Sequence, residues 1–341
     1  MTHTVVAMSD TAIHPFRIDI PQSDLDDLED RLARARSSAQ LPGQDWDRGV
    51  PVACLRELAD YWRTEFDWCA KEAELNAYPQ FQTEIYGLNI HFLHIRSTDP
   101  DALPLILTHR WPNTFVEFTK TIPLLTNPTA HGMAATQAFH LVIPSVLGFG
   151  FSEAPRKTGM KPERVARTWV ELMARLGYDR YGVQGGDLGA YVVQEMAIAD
   201  PAHIVGVHID GGIGLPTEAD IPTMTAEELA EWDLMQKWQS GVNHHVLLNK
   251  APQTFAHAGT DSPSACWPGW STSSTSSPRW QPISKTPSTA TTCSPTSPST
   301  GSPILPPPPP GPCTTAWGTT VSPGPEGSSW SRSASTPAAP H

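Results

Sequence analysis

Leu25, Leu28 and Leu32 recur at helical spacing behind Ser23, whose hydroxyl is placed to cap a helix, with Asp24, Asp26 and Asp27 in its first turn. Leu55, Leu58, Trp62 and Phe66 form a second stripe and predict a helix over 52–69. The period then shortens. Gln82–Tyr86 and Asn89–Ile95 read as two strands joined by a turn at Gly87, followed by strands at Leu105–His109 and His140–Pro144. Beyond them the pattern predicts helix over Pro162–Leu176, strand over Tyr181–Gln184, helix over Leu188–Ala199 and strand over Ile204–Ile209. Strands that alternate with helices imply an α/β fold, a mainly parallel sheet with helices on both faces.

After Pro263 the pattern stops. From Ser264 to His341 only Arg279, Lys285, Glu326 and Arg332 carry charge, Phe and Tyr are absent, and prolines fill 306–310. Such a text has too few large apolar residues for a packed core. A disordered Pro/Ser linker is one reading, but linkers are poor in Trp and this segment holds five: Trp267, Trp270, Trp280, Trp317 and Trp330. A shifted reading frame explains the mixture better. Taking the third base of each codon with the first two of the next forces Leu across Cys266 and Trp267 and Ala across Trp267 and Pro268. With permitted codons the remainder rereads as amphipathic, charge-balanced protein.

The 341 residues, 39% of them apolar, suffice for a sizeable core in the part before that change. A net charge of −12 argues against nucleic acid as a partner. The five cysteines at 54, 69, 266, 293 and 313 form no CxxC pair, so neither a disulfide framework nor a metal site is expected. The N-terminus shows no signal sequence or membrane anchor, and a cytoplasmic protein is the expectation.

Two segments carry candidate chemistry. Gly185, Gly186, Asp187, Leu188 and Gly189 lie between a predicted strand and a predicted helix, the form of a nucleophile elbow. Such a turn strains its central residue, demands small neighbours and lifts the side chain above the sheet. A carboxylate there suits attack at an sp³ carbon, giving an ester that water cleaves, where acyl transfer would call for serine. An ordinary Gly-rich strand-to-helix turn has the same letters. His109, Arg110, Trp111 and Pro112 follow a predicted strand directly, where an oxyanion-hole loop belongs. The backbone N–H groups of Trp111 and Leu188 would then face the carboxyl of Asp187, although Trp-Pro also serves as a plain loop anchor.

With these pieces in place, the stretch from about Pro15 to Pro263 resembles the microsomal-type epoxide hydrolases. The motifs that carry the likeness are FRIDIPQSDLDDLEDRL, HRWPNTFVEF, PSVLGFGFSEAP, GVQGGDLGA and KAPQTFAHAGTDSP. The resemblance implies Asp187 as nucleophile, Trp111 and Leu188 as oxyanion hole, and His109, Trp111, Pro112 and Phe149 at a small apolar epoxide. It implies hydrolysis to a vicinal diol without a cofactor, and leaves a homo-oligomer open. The implied layout is a disordered 1–13, an N-terminal meander running into the first strands over 14–100, an α/β-hydrolase core over 101–213, a partial cap over 214–263 and an out-of-frame disordered tail over 264–341. Arg110 stands where the family has Gly, a change that a positive φ there would penalise. The family's cap tyrosines, acidic partner and water-activating His belong to the altered part, so an impaired or inactive chain is expected. His244, His245 and His257 fall in the cap, His208 on a strand read as buried, and Asp210 at that strand's end reads as a turn cap. A haloalkane dehalogenase-like hydrolase and a non-catalytic scaffold are the alternatives.

Overall fold

A seven-stranded mixed sheet forms the centre of the protein in the computed structural model, which describes residues 11–43, 49–133, 137–210, 216–241 and 250–263. Its strands are β1 (His14–Phe16), β2 (Gln80–Ile85), β3 (Leu88–Ile95), β4 (Leu103–Thr108), β5 (Phe139–Pro144), β6 (Tyr181–Gly186) and β7 (Ile204–Asp210). They lie in the order β1-β2-β3-β5-β4-β6-β7. The first three and β5 pair antiparallel, while β5, β4, β6 and β7 run parallel. The helices are α1 (Gln22–Ala33), α2 (Val52–Thr64), α3 (Trp68–Leu75), α4 (Ile122–Thr126), α5 (Pro162–Arg175), α6 (Leu188–Ala199), α7 (Ala226–Gly241) and α8 (Pro252–Asp261).

Strand alternation sorts the core onto the two faces of the sheet. Ile90, Phe92, Ile106, Val142 and Val183 point to one face and pack with Trp169 and Leu172 of α5 and Val192, Val193 and Met196 of α6. Leu93, Leu107, Leu141 and Ile143 point to the other, against Ile18, Leu75, Phe115 and Ile122. Both faces of β4 and β5 are therefore covered, which is why their sequences read as unbroken apolar runs. The hairpin turn at Tyr86 and Gly87 has φ of 53° and 78°, the left-handed pair that a two-residue hairpin requires.

The N-terminal extension is stitched into this core. Its β1 pairs with β2, Ile13 packs against the core, and Asn76 bonds both ways to the backbone of Ile18, accepting from its N–H at 2.9 Å and donating to its carbonyl at 2.8 Å. At the other end Arg31 of α1 donates to the carbonyls of Thr260 and Asp261 in α8.

Several expectations need correction. Pro21, not Ser23, precedes α1, and Ser23 sits inside the helix without capping it. The second predicted helix divides into α2 and α3, because Glu65 leaves helical geometry and Asp67 starts a new helix by accepting from the Ala70 N–H at 2.9 Å. Cys54 is disulfide-bonded, against the absence of pairing inferred from spacing, while Cys69 is exposed and free. β7 is exposed along most of its length, His208 included, so its apolar letters do not mark a covered strand. No helix among the described residues is long and apolar enough to cross a membrane. The expectations for 1–10 and 264–341, and for His244, His245 and His341, fall outside the described residues.

Candidate active site

Asp187 joins β6 to α6 with φ 50° and ψ −115°. Only Tyr86 shares a positive φ among the described non-glycine residues. For an L residue this conformation is unfavourable by about 1–3 kcal/mol, and surrounding packing must enforce it. Three glycines do so by letting backbones touch. A Cβ on Gly185 would lie 2.2 Å from the carbonyl oxygen of Gly189, and one on Gly189 would lie 2.3 Å from that of Thr108. At Gly186 it would meet the Arg110 guanidinium and the Asp210 carbonyl oxygen, each at 2.8 Å. The start of α6 is thus pressed onto the end of β4, and the Asp187 side chain is exposed at the C-terminal ends of the parallel strands, where α/β sheets hold their ligands.

The loop after β4 meets it there. The Trp111 N–H donates to Oδ2 of Asp187 at 2.9 Å. Trp111 and Pro112 are joined by a cis peptide bond. Leu188 is the first residue of α6, so its N–H is among those that the helix itself does not bond. Arg110 does not take a positive φ, so the family glycine is dispensable for this loop conformation. Its guanidinium instead crosses Gly186 to form an ion pair with Asp210 at the end of β7. Asp210, expected as a turn cap, is therefore a partner of the loop.

Beneath the loop lie His109 and Phe149, both buried, their rings edge to face at 5.6 Å. Trp111 and Pro112 are partly exposed. Glu117 was not singled out from the sequence. Its carboxylate accepts from the Arg110 N–H at 3.1 Å and from Asn113 Nδ2 at 2.6 Å. Burial raises its pKa and the nearby Asp187 charge adds to the rise, while Asn113 and Arg110 work against it. Only its i+4 relation to Asn113 hinted at this role. No His, Cys, Asp and Glu grouping suited to a metal occurs among the described residues.

Residues 13–118 match the family model of the epoxide hydrolase N terminus, and residues 104–265 that of the α/β-hydrolase fold. A putative epoxide hydrolase of Stigmatella aurantiaca is 44% identical over 258 residues, 75% of this chain and 59% of the relative. Epoxide hydrolase 1 of Oryctolagus cuniculus is 39% identical over 209 residues, 60% of this chain and 46% of the relative. The chain thus spans about half to three fifths of the length of these relatives. Among solved structures, the Bombyx mori juvenile hormone epoxide hydrolase superposes with a TM-score of 0.70 at 32% identity, covering 76% of this chain and 65% of that one. The Aspergillus niger epoxide hydrolase gives 0.68 at 30% identity, covering 80% and 71%. A strained aspartate on a glycine-lined elbow, faced by the amide of a Trp-Pro loop and preceded by the characteristic N-terminal extension, makes this chain a member of the epoxide hydrolase family within the α/β-hydrolase fold.

Proposed function

We propose that the chain carries the first half of an epoxide hydrolase reaction, in which the carboxylate of Asp187 opens a small apolar epoxide and becomes its ester. The observation that carries this reading is the 2.9 Å bond from the Trp111 N–H to Oδ2, which fixes the orientation of the carboxylate above the elbow. The new bond joins Oδ1 to a ring carbon, the carbon–oxygen bond of the epoxide breaks, and the released alkoxide takes its proton from solvent water, leaving hydroxide. In the second half, water adds to the ester carbonyl carbon and the charge that develops on the carbonyl oxygen falls to the amides of Trp111 and Leu188. The adduct then collapses by breaking the bond between that carbon and Oδ1, which leaves with the substrate carbon as the second hydroxyl of the diol and restores the carboxylate with an oxygen from water. That step needs a general base, and without one the rate falls by several orders of magnitude. The family's base and cap tyrosines belong to the segment whose composition changes after Pro263. The reading is therefore of an enzyme that alkylates slowly and releases product poorly. The net charge of −12 favours a small neutral substrate over a polyanion.

Mass spectrometry after incubation with styrene oxide tests the proposal. One adduct on the peptide containing Asp187, absent from Asp187→Asn, is the expected result. Equal adduct levels on both proteins would overturn it. An alkyl halide could form the same kind of ester, so a parallel incubation with 1-bromobutane separates the haloalkane reading; the N-terminal extension favours the epoxide.

A further inference from the structure

His109 is fully buried and the chemistry above makes no use of it. Its two ring nitrogens are both spent on backbone. The Val146 N–H donates to Nε2 at 2.9 Å, so that nitrogen carries no proton. A neutral ring then has its proton on Nδ1, which lies 2.9 Å from the carbonyl oxygen of Arg110 and donates to it. Burial pushes the imidazole pKa down to about 4, so the ring is neutral near neutral pH and the assignment holds there.

The Arg110 carbonyl and the Trp111 N–H belong to one peptide group. That peptide is trans, since Trp111–Pro112 is the cis bond among the described residues, so its oxygen and its hydrogen point in opposite directions. Holding one aims the other. The Asn113 N–H donates to the same carbonyl oxygen at 2.9 Å, and Glu117 holds the Arg110 N–H from the other side. His109 alone among these ties the loop to the β5 end, through Val146. We propose that His109 is a positioning residue, one whose Nδ1–H holds the Arg110 carbonyl so that the Trp111 amide faces Asp187, and that it does not contact substrate.

The inference rests on Asp187 being the nucleophile, and isosteric variants test it. In His109→Asn the side-chain amide nitrogen stands in for Nδ1 and keeps the bond to Arg110. In His109→Gln the amide reaches the place of Nε2 and keeps the bond to Val146 but not the one that matters. His109→Asn should retain the alkylation rate of Asp187 within about threefold, and His109→Gln should lose about 10- to 100-fold, the scale of a reacting group held slightly out of place. Equal loss in both, or no loss in His109→Gln, would overturn the proposal.

Two measurements do not depend on the chemistry. In protein labelled with ¹⁵N-tryptophan, the Trp111 amide is the signal missing from Trp111→Phe. It should move on Asp187→Asn in the wild type and in His109→Asn, and stay put in His109→Gln. In the wild type alone, ring ¹⁵N shifts should show the His109 proton on Nδ1; a proton on Nε2 would overturn the proposal without any variant. If no adduct forms but these signals behave as stated, the proposed function fails and the positioning role stands. If the adduct forms and the signals do not, the reverse holds.

Discussion

β6 and β7 lie side by side in one parallel register, and their sequences look equally suited to a covered strand. Their fates differ. β6, with the sequence Tyr-Gly-Val-Gln-Gly-Gly, is buried along its length; β7, with Ile-Val-Gly-Val-His-Ile-Asp, has exposed Val205 and Val207. The contrast teaches that an apolar run records what a strand was selected to meet, while burial records what it meets in this chain. β6 has α6 and β4 packed on it through bare backbone, and that contact is what bends Asp187 into its strained conformation. β7 is the terminal strand of the sheet among the described residues.

Glycine substitutions break the comparison most sharply. Gly185→Ala, whose Cβ would sit 2.2 Å from a backbone oxygen, should destabilise by more than about 3 kcal/mol in urea unfolding and abolish labelling of Asp187. Trp169→Ala, beneath the same half of the sheet, should cost about 3–5 kcal/mol by the same measurement. Acid acts on the covered part next. Burial holds His91 near a pKa of about 3 and His109 near about 4, both below the unfolded value. These groups are neutral when folded, so stability is intact above pH 6.5 and is lost as the pH falls from there towards 4 and then 3. Each should contribute a slope of about 1.4 kcal/mol per pH unit over most of that window. Replacing His91 by Gln should flatten the profile. On β7 the effects should be small: Val207→Thr should change stability by less than about 0.5 kcal/mol. Gly206→Ala, whose Cβ meets nothing within 4 Å, should be neutral or stabilising by about 0.5 kcal/mol. A large loss at Gly206 would mean that β7 is covered in solution and that the contrast is false.

The helix over Pro162–Arg175 and the hairpin at Gly87 were legible because their signals are local: a 3.6-residue period and a left-handed turn. So was the elbow, since only glycine lets backbones approach as Gly185 and Gly189 do. What the sequence hid depends on distance. The break between α2 and α3 follows from a cap at Asp67 that competes with an otherwise continuous apolar stripe. The Arg110–Asp210 pair joins residues a hundred positions apart, and no periodicity announces it. His109 was legible as part of the site but not as its underside, because orientation is set by Val146 on a neighbouring loop.

Asn76 mimics a peptide group, giving and receiving one hydrogen bond with Ile18 as a paired strand would. A protein begun after residue 20 would lose more than a leading arm. It would uncover Leu75, Leu93 and Ile143, the lining of the second half of the core, and the end of the sheet that carries Asp187 would rest on a surface that water had reached.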